Sequence, residues 1–263
     1  MPSTPDKPVL ITGASGNLGR FLARTLAAEG WTLRLTDMVP FPDALPERAS
    51  FRRIDLADAL EVVRLVEGCG LVLHFGGAST DEWAFESVVD ANLRGLYHVY
   101  EGARLAKARV VFASSNHAIG FHERSETLDA DCSLLPDSLY GASKAFGEVL
   151  ARLYWLKHQV ETVLVRIGSC FPEPVDERML STWLSYPDLG RMMIACGTAP
   201  AVGCSLLWGA SNNSRSFWGK DDRKAIGWAP QDSADTFANA VLGKVSGDPV
   251  AEKYQGGIYT ARG

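Results

Sequence analysis

Residues 9–19 read Val9-Leu10-Ile11-Thr12-Gly13-Ala14-Ser15-Gly16-Asn17-Leu18-Gly19, a short apolar strand running straight into three glycines and then a helix. Leu18, Phe21, Leu22 and Leu26 recur at helical spacing, so that helix is expected over 18–28. Glycine permits the tight turn and a close approach to the backbone, while a helix N-terminus offers unpaired N–H groups and a favourable dipole to a phosphate. Gly13, Ser15, Gly16, Asn17, Leu18 and Gly19 are therefore candidate pyrophosphate contacts. The spacing is G-x-x-G-x-x-G, not the usual G-x-G-x-x-G, and glycines alone would also suit an ordinary strand-to-helix turn. The context carries the reading. Asp37 closes the second strand, 18 residues after Gly19. A carboxylate there accepts hydrogen bonds from adenosine ribose hydroxyls and repels a 2′-phosphate. Met38-Val39-Pro40 supply no Arg or Lys to receive that phosphate, so NAD is expected rather than NADP. Asp55-Leu56, after the third strand, is a candidate adenine contact, although Asp55 is equally suited to capping a helix.

Outward from this unit the alternation continues. Strands are expected over 32–36, 51–54, 71–75, 109–114 and 162–167, with helices over 58–67, 83–107 and 138–158. Strands in alternation with helices, several of them continuous apolar runs, predict an α/β protein. The expected form is a Rossmann-type doubly wound parallel sheet with helices on both faces. Beyond Gly168 the pattern loosens, with Pro172 and Pro174 interrupting one loop and Pro187 a second segment. A single domain over 1–263 is expected, with about 168–230 forming a small C-terminal substrate cap.

Composition narrows the function classes. The chain has 263 residues, 46% hydrophobic and 22% charged, which excludes a disordered or fibrous protein. Its net charge of −5 argues against nucleic acid as a partner. No uncharged apolar run reaches the roughly 18 residues of a membrane span, and the first residues lack the basic-then-apolar design of a signal peptide. Five scattered cysteines without a C-x-x-C fit reduced thiols in a cytoplasm. The five histidines share no ligand spacing with them, so no metal site is expected.

The second informative run is Tyr140-Gly141-Ala142-Ser143-Lys144 on a helix, with Ser114-Ser115 ending the preceding strand. Residues four apart on a helix share a face, so Tyr140 and Lys144 point into one cleft. A phenol ionises near pH 10, and use as a base at neutral pH needs about 3 units of help, about 4 kcal/mol. A nearby ammonium favours the phenolate, and a serine hydroxyl can hold the substrate oxygen.

Taken together, Gly13–Gly19, Asp37, Gly76-Gly77-Ala78, Ser114-Ser115 and Tyr140–Lys144 resemble the extended short-chain dehydrogenase/reductase superfamily over about the first 170 residues. The short cap, Ser114-Ser115-Asn116-His117-Ala118-Ile119-Gly120, and Arg166-Ile167-Gly168-Ser169-Cys170-Phe171-Pro172 followed by Arg178 resemble its uronate dehydrogenase branch. That resemblance implies oxidation of the ring C1 hydroxyl of D-glucuronate or D-galacturonate to an aldarolactone with NAD. It makes Tyr140 the base, Lys144 its activator and ribose ligand, and Ser115 the partner of the reacting hydroxyl. Asn116, His117 and Ser169 would contact the sugar, with Ser79 at the rim and Arg178 on the carboxylate. Gly76, Gly77, Ala78, Ser114 and Ile167 would meet the cofactor. Asn92 falls where the superfamily often has a structural or proton-relay asparagine, and the alternative is a buried asparagine bonding backbone.

Other readings stay open at this stage. A nucleotide-sugar epimerase or dehydratase shares the motifs but usually carries a longer C-terminal region. A non-catalytic dinucleotide sensor would not need the Tyr140/Lys144/Ser115 set. Arg178 can instead pair with Asp176 or Glu177 on the surface. His74, inside an apolar strand, reads as a hydrogen-bonded core residue. Glu126, Asp129 and Asp131 read as a solvated face, and Trp208, Trp218 and Trp228 as cap or subunit packing. The apolar face of 138–156 suits either a paired-helix contact between two copies or packing on the sheet.

Overall fold

The computed structural model describes residues 5–78 and 84–262. The first half follows the expected alternation: β1 (Val9–Thr12), α1 (Asn17–Ala28), β2 (Leu33–Asp37), β3 (Ala49–Arg53), α2 (Ala59–Val66) and β4 (Leu71–His74). A helical stretch then runs in three successive pieces, α3 (Phe85–Val88), a π-helical segment Val89–Arg94 and α4 (Gly95–Ala106). It was expected as one helix over 83–107, and its first residue lies outside the described ones. The π segment holds Asn92, whose side chain leaves the helix to bond a neighbouring loop.

The second half supplies β5 (Arg109–Ser115), α5 (Leu139–His158), β6 (Thr162–Ile167), β7 (Ser169–Cys170), α6 (Met179–Thr182), β8 (Trp183–Leu184), α7 (Tyr186–Thr198), β9 (Cys204–Gly209), α8 (Ala238–Val241) and α9 (Pro249–Lys253). Seven parallel strands form one sheet in the order β3-β2-β1-β4-β5-β6-β9. The order reverses between β1 and β4, and their carboxyl ends open a crevice there.

Both faces are covered, as a doubly wound sheet requires. On one face Val9, Ile11, Val163 and Val165 pack under Leu22 and Leu26 of α1 and Leu189, Met192 and Met193 of α7. On the other, Leu10, Val72, Val110 and Leu164 pack under Val62 of α2, Val99 and Tyr100 of α4 and Leu150 of α5. Adjacent residues such as Val9 and Leu10 go to opposite faces because side chains alternate along a strand.

Two readings of the second half need correction. Pro187 does not interrupt a segment but opens a 13-residue helix, α7. A proline costs nothing at the first helical positions, where its missing N–H has no partner, and Ser185 caps the turn by accepting from Asp188 N at 2.9 Å. Trp208 lies in β9, the seventh sheet strand, where it stacks on Trp218 at 5.0 Å and 8°. Trp228 joins the core beside α7.

Candidate active site

The glycine turn between β1 and α1 is tightly built. Gly13 sits at φ +69°, and a Cβ there would come within 2.7 Å of Gly76 N. A Cβ on Gly19 would collide with the Gly13 carbonyl oxygen. These two glycines are demanded by the fold. Gly16 is not, since its Cβ would meet only Gly13 O at 3.4 Å. A glycine with protein-free space above it, at a helix N-terminus without a side-chain cap, fits a backbone left clear for pyrophosphate. Asp37 Oδ2 accepts from Ser15 N at 3.0 Å and Oδ1 from Val39 N at 3.3 Å, which ties the end of β2 to the turn. Asp55 spends one carboxylate oxygen on Ala57 N at 2.8 Å, while Asp58 caps α2. Leu56 is buried, and its side chain lies against Gly76 and Gly95.

Across the crevice, Asn92 clamps the loop after β4. Its Oδ1 accepts from Ala78 N at 2.7 Å, and Nδ2 donates to Ala78 O at 3.0 Å and Ser143 Oγ at 2.8 Å. Ser143 in turn donates to Tyr140 O at 2.7 Å, so the clamp couples Gly76-Gly77-Ala78 to α5. Gly77 adopts φ +148°, with Asn92 Oδ1 only 2.6 Å from where a Cβ would stand. Thr12 Oγ1 supports the same loop by accepting from Gly76 N at 3.0 Å and bonding His74 Nδ1 at 2.8 Å. Burial pushes His74 down to about 3, so it is a neutral core residue.

α5 begins at its cap Ser138, whose Oγ accepts from Gly141 N, and one face of the helix carries Tyr140, Lys144 and Glu148. Lys144 Nζ donates to Ala113 O at 2.8 Å and lies 5.5 Å from the centre of the Tyr140 ring. Burial pushes the Lys144 ammonium down to about 8. Burial also pushes the Tyr140 phenol up to about 12, against the Ser115 hydroxyl hydrogen bond, which lowers it. Ser114 is the residue that departs from expectation. Its hydroxyl turns to Glu148 Oε1 at 2.7 Å, joining the fully buried Glu148–Arg166 ion pair, although Ser114 still borders the cavity.

Two adjoining cavities, each about 260 Å³, meet at His117, Gly168, Phe171 and Tyr259. The inner one reaches Leu18, Gly77, Ala78, Tyr140, Lys144 and Ile167. The outer one reaches Asn116, Ser169, Arg178 and Lys244. Arg178 Nε donates to Gln255 O at 2.7 Å, and Nη1 lies 3.4 Å from Ser169 Oγ. With the Asn116 amide turned to satisfy both neighbours, its oxygen accepts from Arg178 Nη2 at 2.8 Å and its nitrogen donates to Ile167 O. Arg178 makes no ion pair among the described residues. Asp176 instead accepts from Met179 N, and Glu177 accepts from Gly243 N and faces Arg215, so neither holds it on the surface. Burial pushes this guanidinium down to about 10, as happens to a desolvated cation.

Ser79 lies outside the described residues. Three residues that shape the site carry no motif and were not anticipated: Tyr259 in the cavity wall, and the buried Asp137 and Gln255 behind it. Tyr259 stacks on His117 at 3.9 Å, from a segment about 140 residues further along the chain that no local pattern marks. Asp137 stands directly before the helix cap Ser138, outside the helix expected over 138–158.

A parallel sheet with a glycine turn at its switch point and a Tyr–Lys–Ser cluster beside it defines a dinucleotide-dependent enzyme of the short-chain type. The chain belongs to the NAD dependent epimerase/dehydratase family, whose model matches residues 9–218. It is 42% identical to a uronate dehydrogenase of Pseudomonas syringae pv. tomato over 99% of this chain and 95% of that protein. It is 31% identical to an NAD-dependent glucose-6-phosphate dehydrogenase of Haloferax volcanii, over 88% of this chain and 96% of that one. A crystal structure of a uronate dehydrogenase variant from Agrobacterium tumefaciens complexed with NAD superposes with a TM-score of 0.92 at 42% identity, covering 99% and 98% of the two chains.

Proposed function

We propose that this protein oxidises the C1 hydroxyl of a hexuronate, D-glucuronate or D-galacturonate, to the aldarolactone with NAD. The observation that carries the reading is Arg178. A desolvated guanidinium with no ion-pair partner among the described residues, bordering the cavity that joins the one at Tyr140, is suited to a substrate carboxylate.

The Gly13–Gly19 backbone and the α1 N-terminus would hold the pyrophosphate, and Asp37 the adenosine ribose. When bound, NAD supplies the hydride acceptor, and its positive nicotinamide ring favours the phenolate form of Tyr140. Arg178, with Asn116, His117 and Ser169 around it, anchors the sugar and fixes C1 near the phenol. Ser115 holds the reacting hydroxyl, and Tyr140 takes its proton as the C1 hydride leaves. Lys144 keeps positive charge beside the phenol and would be the ribose ligand. The Asn92 clamp holds the Gly77-Ala78 loop and α5 at a fixed separation. The test is absorbance at 340 nm with a panel of sugars and sugar acids. NADH formation with uronates, at an efficiency well above that with neutral hexoses, is expected. Activity confined to neutral or phosphorylated sugars would reject the reading.

One α/β domain is part of the same proposal, but within 168–230 α7 and β9 belong to the sheet and its core, and the outer cavity is walled mainly by residues of 168–179 and 244–259. A homo-oligomer is also proposed, because Phe146, Val149, Leu153 and Leu156 form an exposed stripe along α5. Sedimentation of a Val149→Asp variant should show a smaller species than the parent protein. The five cysteines are free, which suits a reducing cytoplasm, and no described helix is long and apolar enough to cross a membrane.

A further inference from the structure

β3 ends in two arginines that the fold treats differently. Arg52 pairs with Glu61 of α2. Arg53 is registered directly beside Asp37 in the parallel β2–β3 ladder, and its Nε donates to Met38 O at 2.6 Å. It is exposed and makes no ion pair among the described residues. The run Met38-Val39-Pro40 contains no base, yet strand pairing brings one to this point from 16 positions further along the chain. Asp37, meanwhile, is held by Ser15 N and Val39 N at the end of the neighbouring strand.

We propose that Arg53 is a latent binding site for a 2′-phosphate, and that cofactor choice is set by the opposition of Asp37 and Arg53. This rests on reading the Gly13–Gly19 turn and Asp37 as the dinucleotide site. The two side chains favour opposite ligands. A carboxylate accepts from a ribose 2′-hydroxyl and repels a phosphate, whereas a planar guanidinium fork matches phosphate oxygens. With Nε committed to Met38 O, the guanidinium is anchored beside β2 and retains its Nη donors for an incoming anion. Asp37 keeps NAD ahead in the natural protein. Removing its charge uncovers an existing phosphate site, so NADP is gained as well as NAD lost.

The experiment is a fluorescence titration of NADH and NADPH against the natural protein, Asp37→Ser, Arg53→Ala and the double variant. Asp37→Ser should raise NADPH affinity by roughly tenfold or more. Adding Arg53→Ala should take back roughly ten- to a hundredfold of NADPH affinity while changing NADH affinity less than about twofold. Arg53→Lys should recover part of the NADPH binding, since it keeps the charge without the fork. A gain in NADPH affinity that survives Arg53→Ala would overturn the proposal. So would an equal loss for both cofactors, which would put Arg53 on the adenosine rather than on the phosphate. Absence of NADH binding by the natural protein would instead overturn the dinucleotide-site reading itself.

Discussion

His117 Nδ1 lies 2.7 Å from Oδ2 of Asp137, a carboxylate with no solvent exposure. The carboxylate is boxed in: Ser138 Oγ donates to its other oxygen at 2.9 Å, and a Cβ on Gly120 or Gly256 would collide with it. Tyr259 stacks on the far face of the imidazole. The ring is therefore fixed at the junction of the two cavities, with Nδ1 engaged and Nε2 left for a ligand. Asp137→Ala should lower kcat/KM for uronates by roughly 1.5–3 kcal/mol, the usual worth of a hydrogen bond to a charged group. Asp137→Asn keeps an acceptor and should lose less. NADH affinity should hold in both. An equal loss of NADH affinity would mean that Asp137 acts on the fold as a whole.

Tyr140→Phe should abolish turnover while NADH still binds. The substitution keeps the ring packed beneath Lys144 and removes only the hydroxyl that Ser115 bonds. Loss of a general base typically costs on the order of 10²–10⁴ in rate. Retention of more than about a tenth of the parent kcat would remove Tyr140 from that role.

How much of this was legible follows the range of each interaction. The glycine turn, Asp37, and the Tyr140–Lys144 spacing were readable because each is a local pattern with a geometric requirement. Asn92 and His74 were readable as buried polar residues, but their partners, Ser143 and Thr12, sit 51 and 62 positions away. The roles of Arg53, Gln255 and Tyr259 were not readable, because strand register and a returning C-terminal segment put them in place. Pro187 misleads for a different reason. The same residue breaks a helix from inside and starts one from its first turn.

Lys144 links function to stability through pH. Burial holds its ammonium at about 8, below the 10.5 of the free side chain, so folding disfavours the charged form. Below pH 8 both folded and unfolded chains are protonated, and the natural protein carries the whole cost. Between 8 and 10.5 the folded chain releases its proton first, so stability rises with pH, and above that range the cost has gone. The shift corresponds to a ceiling of about 3 kcal/mol, offset in part by the bond to Ala113 O. Urea unfolding of Lys144→Met without NAD should show its best standing against the parent near pH 7, shrinking toward pH 10.5. Turnover should be lost at every pH. A stability difference that does not change with pH would rule out a buried charged lysine.

The orientation of Arg178 depends on Gln255, and the pair separates a uronate enzyme from a neutral-sugar one. Gln255 is fully buried, and its main-chain oxygen accepts from Arg178 Nε. Its own side chain is held at both ends, with Oε1 accepting from Trp218 Nε1 at 3.0 Å and Nε2 donating to Glu123 O and Glu126 O. The guanidinium edge beyond Nε is turned toward Asn116 and Ser169 in the outer cavity. Two parallel bonds from that edge to a C6 carboxylate would fix C1 against Tyr140, at no cost in breaking an existing ion pair. Arg178→Ala should then cut kcat/KM for uronates by roughly 2–4 kcal/mol, and Arg178→Lys should restore only part, because an ammonium cannot form the bidentate pair. Trp218→Phe removes one anchor of Gln255 without touching the cavity. It should raise KM for uronates, by less than Arg178→Ala does, with little change in kcat. Residual oxidation of neutral aldohexoses should stay almost constant through the series, since they have no carboxylate to lose. Parallel losses on glucuronate and glucose would make Arg178 a structural residue and place the carboxylate elsewhere in the cavity.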